Sequence, residues 1–126
     1  MFALHRLVLA AVVALAGLAL LPGSSPGATF RVRASGSPGS FAWDPDFRHI
    51  TKGNRIKWTN PTDYSHRVVA YKGRWSKETT IAPGASTTKR FRRAGAYYYR
   101  CTRRGHSTLS DGDCSGMCGT IHVTRS

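Results

Sequence analysis

Apolar and polar residues alternate with period two in short runs along most of this chain. Beyond the N-terminal leader, no stretch keeps helical spacing over three turns. Runs at 54–59 (RIKWTN), 65–71 (SHRVVAY), 86–92 (STTKRFR), 96–101 (AYYYRC) and 119–124 (GTIHVT) read as strands, with weaker ones near 29–34 and 47–51. The segments KGN, NPTD, YKGR, APGA and RAG supply the turns between them. Several short strands at regular spacing predict an all-β fold, a β-sandwich or small barrel. With 126 residues there is room for one domain and no second core.

The N-terminus is of another kind. A basic start, Met1 to Arg6, leads into the unbroken apolar run LVLAAVVALAGLALL from Leu7 to Leu21. A membrane-spanning helix needs roughly 20 such residues, and this run is shorter. Pro22–Gly23 ends it, and the small residues Ser25, Gly27 and Ala28 follow. The pattern predicts a signal peptide over 1–28, cleaved near Gly27 or Ala28, and a mature domain over 29–126 with no transmembrane span. An uncleaved membrane anchor is the alternative. Export places the domain outside the cytoplasm, in a periplasm, at a cell surface or in the medium. It also permits disulfides.

Sulfur is confined to one place. The stretch CTRRGHSTLSDGDCSGMC, from Cys101 to Cys118, holds all three cysteines and Met117, the only methionine besides the initiator. Packing does not require this, since Leu or Val would fill space without the reactivity. A metal, a disulfide or both would. In GAYYYRC the side chains of Tyr97, Tyr99 and Cys101 share one strand face and Arg100 takes the other. Cys101 therefore points inward at the end of a rigid strand. A thiolate there, an imidazole at His106 and a thioether at Met117 form a soft donor set suited to copper, with a trigonal His₂Cys plane and a weak axial Met. The plane needs a second histidine. His66, which opens a strand after the turn NPTDYS, is the best candidate.

These segments together resemble the cupredoxins, the small type 1 blue copper proteins of the plastocyanin and azurin kind. KGNRIKWTN is similar to the family's G-(D/N)-x-V-x-W-x-N strand, and His66-x-Val68 to its first histidine motif. IAPGASTTKRF is similar to the P-G-x-(S/T) turn and following strand. GAYYYRC matches G-x-Y-x-(Y/F)-x-C, and GMCGTIHV matches G-M-x-G-x-(I/V)-x-V. The resemblance covers nearly the whole mature chain. It implies a single-domain Greek-key β-sandwich binding one type 1 copper through His66, Cys101, His106 and Met117. The implied function is one-electron transfer between redox partners, with no enzymatic activity. The position after the first histidine is often Asn in this family, where its side chain ties the ligand loops together; here it is Arg67, which cannot accept a hydrogen bond. Its backbone N–H can still reach the cysteine sulfur. The stretch from His106 to Met117 is longer than usual. With Cys101 taken as the copper thiolate, Cys114 and Cys118 remain to pair as a disulfide bracing that loop.

Charge bears on partners. Lys and Arg number 19 against 6 acids, a formal net charge of +13. Loss of Arg6 with the leader leaves +12. KRFRR (Lys89 to Arg93) and TRRGH concentrate it. Such a field favours acidic partners in a salt-dependent way. For an exported monomer the expected partners are an acidic redox protein and anionic cell-envelope polymers, not nucleic acid. Arg103 and Arg104, beside His106, are expected to steer docking and to disfavour Cu(II). Two other functions use the same residues. One is a copper-delivery domain; the other is a zinc or Cu(I) buffer built from Cys101, His106, Cys114 and Cys118, although C-x₄-H-x₇-C-x₃-C lacks the paired knuckles of zinc modules. His122 alternates with core-facing neighbours and is expected to be exposed and idle, His49 has no partner in the sequence, and SDGD reads as a solvated turn.

Overall fold

A computed structural model describes residues 27–73 and 75–126. The expected signal peptide, apart from its last two residues, lies outside them. Eleven strands form among the described residues, with no helix. They are β1 (Thr29–Ser35), β2 (Ala42–Asp44), β3 (Phe47–Thr51), β4 (Arg55–Thr59), β5 (His66–Tyr71), β6 (Glu78–Ile81), β7 (Ser86–Arg90), β8 (Gly95–Arg100), β9 (Ser107–Ser110), β10 (Asp113–Gly116) and β11 (Cys118–Thr124).

One sheet runs β2-β1-β4-β7 and a second runs β3-β11-β8-β5-β6. The pairs β1–β4 and β3–β11 are parallel; the others are antiparallel. The chain crosses from sheet to sheet repeatedly, and the two inner faces bury one core. Alternation decides which side chains enter it. Val32 and Ala34 of β1, Ile56 and Trp58 of β4, Tyr97 and Tyr99 of β8, and Ile121 and Val123 of β11 are buried at every second position. This is the all-β sandwich that the sequence predicts.

Aromatic rings join the two layers. Trp58 meets Tyr99 edge-on at 5.3 Å between ring centroids, and Trp43 meets Tyr99 at 5.9 Å. Such pairs each contribute about 0.5–1.5 kcal/mol beyond the area they bury. Burial pushes the Tyr99 phenol well above its ordinary pKa, so it stays neutral. Tyr99 also explains a glycine. Gly119 is its register partner on β11, and a Cβ there would stand 2.2 Å from the Tyr99 ring carbon Cζ. Only a residue without a side chain lets the ring lie against the neighbouring strand.

All seven expected strands form, the one placed at 86–92 ending earlier, at Arg90. Four others were not foreseen. β2 is three residues long, too short for periodicity to show, and β6 (ETTI) buries only its last residue. β9 and β10 form a separate hairpin inside the sulfur-rich loop, closed by Asp111 and Gly112, both at positive φ. An Asp-Gly pair suits such a two-residue turn, whose twist matches that of its strands. SDGD is thus a hairpin tip. His122 is exposed as expected, but it is not isolated: it is paired in register with His49, and the two rings stack at 5.2 Å.

Replacing Gly119 with Ala should drive the Tyr99 ring out of place. The expected loss is about 1–3 kcal/mol of stability, the usual effect of overpacking a filled core. Thermal unfolding of the G119A variant checks it; an unchanged Tm would mean that Tyr99 has room to move.

Candidate metal centre

At one end of the sandwich β5 begins, β8 ends and β11 begins, and these three points carry the candidate ligands. His66 is the first residue of β5, Cys101 follows the last residue of β8, and Met117 precedes β11. Because β5 and β8 are antiparallel neighbours, the start of one meets the end of the other. His66, Cys101 and Met117 are fully buried, and His106 is half-buried.

His66, Cys101 and His106 each offer one ligand atom, and these atoms lie within 4.8 Å of one another. The two Nδ1 atoms are 3.2 Å apart, and His106 Nδ1 is 3.4 Å from Cys101 Sγ. Met117 is tied in through its backbone: its N–H donates to the His106 carbonyl at 2.8 Å, and its own carbonyl accepts from the Cys101 N–H at 3.0 Å. All four residues named from the sequence therefore come together. Two imidazoles and a thiolate converging at one point, with a thioether residue held beside them, are the donor set copper prefers. The site fits a single type 1 copper.

Several contacts hold this arrangement. The Arg67 N–H donates to Cys101 Sγ at 3.2 Å, as the sequence allowed. The Arg67 side chain was expected to leave the ligand loops untied, and the structure corrects this. Its guanidinium donates to Thr102 Oγ1 at 3.0 Å and pairs with Glu78. Where an Asn would accept a hydrogen bond, Arg67 donates one, and β5 is still joined to the residue after Cys101. Ser107 Oγ donates to the Cys101 carbonyl and accepts from Arg100 at 3.1 Å, closing the loop from the other side.

Two groups behind His66 escaped sequence reasoning. Thr62 Oγ1 lies 2.8 Å from His66 Nε2 and 2.6 Å from Asn60 Oδ1. Asn60 is buried, and its Nδ2 donates to the carbonyls of Tyr64 at 2.6 Å and Ile81 at 2.9 Å, so its Oδ1 can only accept. The single Thr62 hydroxyl proton goes to that oxygen, and the hydroxyl accepts from His66 Nε2–H. The Nδ1 lone pair is then left free on the side facing Cys101 and His106. A partner on the far nitrogen commonly sets the tautomer of a metal-binding histidine in this way. The signal was the short polar turn Asn60-Pro61-Thr62, which sequence reading treats only as a chain reversal. Phe41 was missed for a different reason. Its ring packs 4.7 Å from His66 and 4.8 Å from His106, but it lies outside any regular strand.

Electrostatics favours neutral imidazoles. Burial pushes His66 down to about 4, helped by the positive charges His106 and Arg103 would place beside it. His106 is also lowered, by burial first and then by Arg103. The remaining two cysteines are joined as a Cys114–Cys118 disulfide, while Cys101 is free and buried. The bridge spans the junction of β10 and β11 around Met117. It leaves no thiolates for the zinc or Cu(I) set that included them.

The sequence from residue 30 to 124 matches the family of copper binding proteins described as the plastocyanin/azurin family. The chain belongs to that family. Among solved structures, it resembles an oxidised proline-to-alanine mutant of amicyanin with 19% identity and a TM-score of 0.59, over 79% of this chain and 85% of the other. A reduced tryptophan-to-tyrosine mutant of amicyanin matches at 18% identity and a TM-score of 0.59, over 81% and 94%. A purple cupredoxin from Nitrosopumilus maritimus matches at 14% identity and the same TM-score, over 75% and 98%. At these identities the likeness is one of fold. No curated protein sequence matches the chain.

Two outcomes follow from the site. Thr62→Val removes the acceptor for His66 Nε2–H and should weaken copper binding by about 10–100-fold, with Thr62→Ser largely restoring it; competitive chelator titration measures both. Unfolded His66 takes up a proton near pH 6.5 and folded His66 only near 4. The unfolded state therefore binds more protons between those values, and the copper-free protein should lose stability as pH falls through that window. Denaturant titrations of the wild type and His66→Gln check this, the variant giving the flatter pH dependence.

Proposed function

We propose that this chain is an extracytoplasmic carrier of single electrons. In this reading His66, Cys101 and His106 would hold copper through two imidazoles and a thiolate, and Met117 would offer a weaker thioether donor. The observation that carries it is the convergence of three ligand atoms within 4.8 Å, in a wall that is buried on all sides except at His106. Copper bound there would supply a centre that accepts and returns one electron. The protein's part is to change little as it does so. Backbone bonds among Cys101, His106, Met117 and Arg67 hold the donors in one geometry for both charge states. Phe41 packs against both imidazoles and helps keep His66 dry, leaving His106 as the open edge.

His106 is the most exposed member of the set, and Arg103 and Arg104 beside it are exposed cations. We assign docking of an acidic redox partner to this edge. Arg103 already lowers the pKa of both imidazoles, and the same positive potential would favour the reduced, less charged copper. The apolar leader, the disulfide and the family support location outside the cytoplasm. No residue pair at the site is arranged to activate a substrate, which supports a carrier and not an enzyme.

Adding Cu(II) to the protein should produce an intense thiolate-to-copper absorption band and an EPR spectrum with narrow copper hyperfine splitting. Cys101→Ser should abolish the band, and Met117→Leu should keep it while changing the reduction potential. A colourless protein that takes up zinc instead would defeat the proposal. Fast electron self-exchange supports the carrier role, whereas rapid loss of copper to an acceptor would favour delivery.

A further inference from the structure

The KRFRR segment has no part in the copper site. Phe91 turns into the core, where it packs against Tyr97 at 4.8 Å and Trp75 at 5.7 Å between ring centroids. Its neighbours are left outside. Lys89, Arg90, Arg92 and Arg93 line one open groove of about 650 Å³ whose floor is Trp75, Phe91 and Tyr97. No acid lines it. Of the six acids in the chain, the one nearest in sequence is Glu78, which is paired with Arg67. Among the described residues that is the one ion pair, so the four cations of the groove have no carboxylate partner.

The groove lies away from the metal. Tyr97 stands near the start of β8 and Cys101 just past its end; four residues of strand separate them by roughly 13 Å. Trp75 sits in the β5–β6 connection, at the far end of β5 from His66. A ligand held here leaves the His106 edge clear. The field extends to Lys77, whose ammonium reaches Thr87 at 2.9 Å and whose pKa is lowered by burial and then by Lys89.

We propose that this groove binds an anionic polysaccharide, a chain carrying sulfate or carboxylate groups, and so tethers the protein by the end opposite its copper. Four adjacent unpaired cations match a repeating line of anions. The aromatic floor decides between polyanions. Phe91 and Tyr97 are buried, and Trp75 is partly buried, with one face against Trp58 at 6.4 Å and Tyr97 edge-on to it at 5.8 Å. At most one ring face is left, whereas single-stranded nucleic acid binders stack successive bases on several rings. Recognition falls chiefly to charge along an open trough.

The test is titration calorimetry of the copper-loaded protein with heparin as the sulfated probe and dextran as the uncharged one, at low and high salt. Two variants of equal charge are compared, Arg92→Gln/Arg93→Gln in the groove and Arg33→Gln/Arg125→Gln outside it. Heparin is expected to bind, more weakly at high salt. The groove variant should lose about tenfold in affinity and the control less than twofold, with the copper spectrum unchanged in both. No heparin binding, or equal loss in the two variants, would overturn the proposal. Tighter groove-dependent binding of an oligo-dT strand or of phosphatidylserine vesicles would overturn it in favour of nucleic acid or a lipid surface.

Discussion

The bond from the Arg67 N–H to Cys101 Sγ is the contact on which the site depends. It ties the start of β5 to the end of β8 at the point where His66 and Cys101 emerge. A sulfur acceptor is weak, and a donor fixed in a strand costs no further ordering to reach it. The sheets behind it are held apart by rings whose sizes are set: Tyr99 reaches Trp43 and Trp58 across the sandwich and Gly119 on the adjoining strand. The ligand positions inherit this rigidity, because each lies at a strand end or one residue from it.

The loop from His106 to Met117 shows how extra chain is accommodated without loosening the metal site. Its residues fold on themselves as β9 and β10, so their backbone groups are satisfied within the hairpin. The Cys114–Cys118 disulfide then anchors the hairpin to β11 next to Met117. Charge follows a similar division. Arg103 and Arg104 act at the copper end, whereas Lys89 to Arg93 gather at the other. A net positive charge that looks uniform in the composition becomes two separate surfaces.

Most of the sandwich could be read from alternation, since burial on one face of a strand imposes period two on its side chains. Five of the seven expected strands bury residues at alternate positions; β3 buries only Ile50 and β7 none, and these two were legible from their polar alternation and flanking turns. β2, β6, β9 and β10 are short or mostly exposed, so their pairing is dictated by neighbouring strands and leaves little trace in composition. The ligands His66, Cys101, His106 and Met117 were legible because few residue types bind a soft metal and their spacing is constrained by the strands that carry them. Thr62, Asn60 and Phe41 were not. A threonine, an asparagine and a phenylalanine are common residues, and only their distances to the imidazoles give them a role.

The sequence by itself determined the class of fold, the one buried thiol and the identity of the candidate ligands, because periodicity and donor chemistry are local properties of residue types. Tertiary structure decided the tautomer of His66, the donor bond of Arg67 to Thr102 and the gathering of four cations over an aromatic floor. Each draws on a contact between residues remote in the chain, Asn60 with Ile81, Arg67 with Thr102 and Lys89 to Arg93 with Trp75, and such contacts exist only once the two sheets have closed on each other.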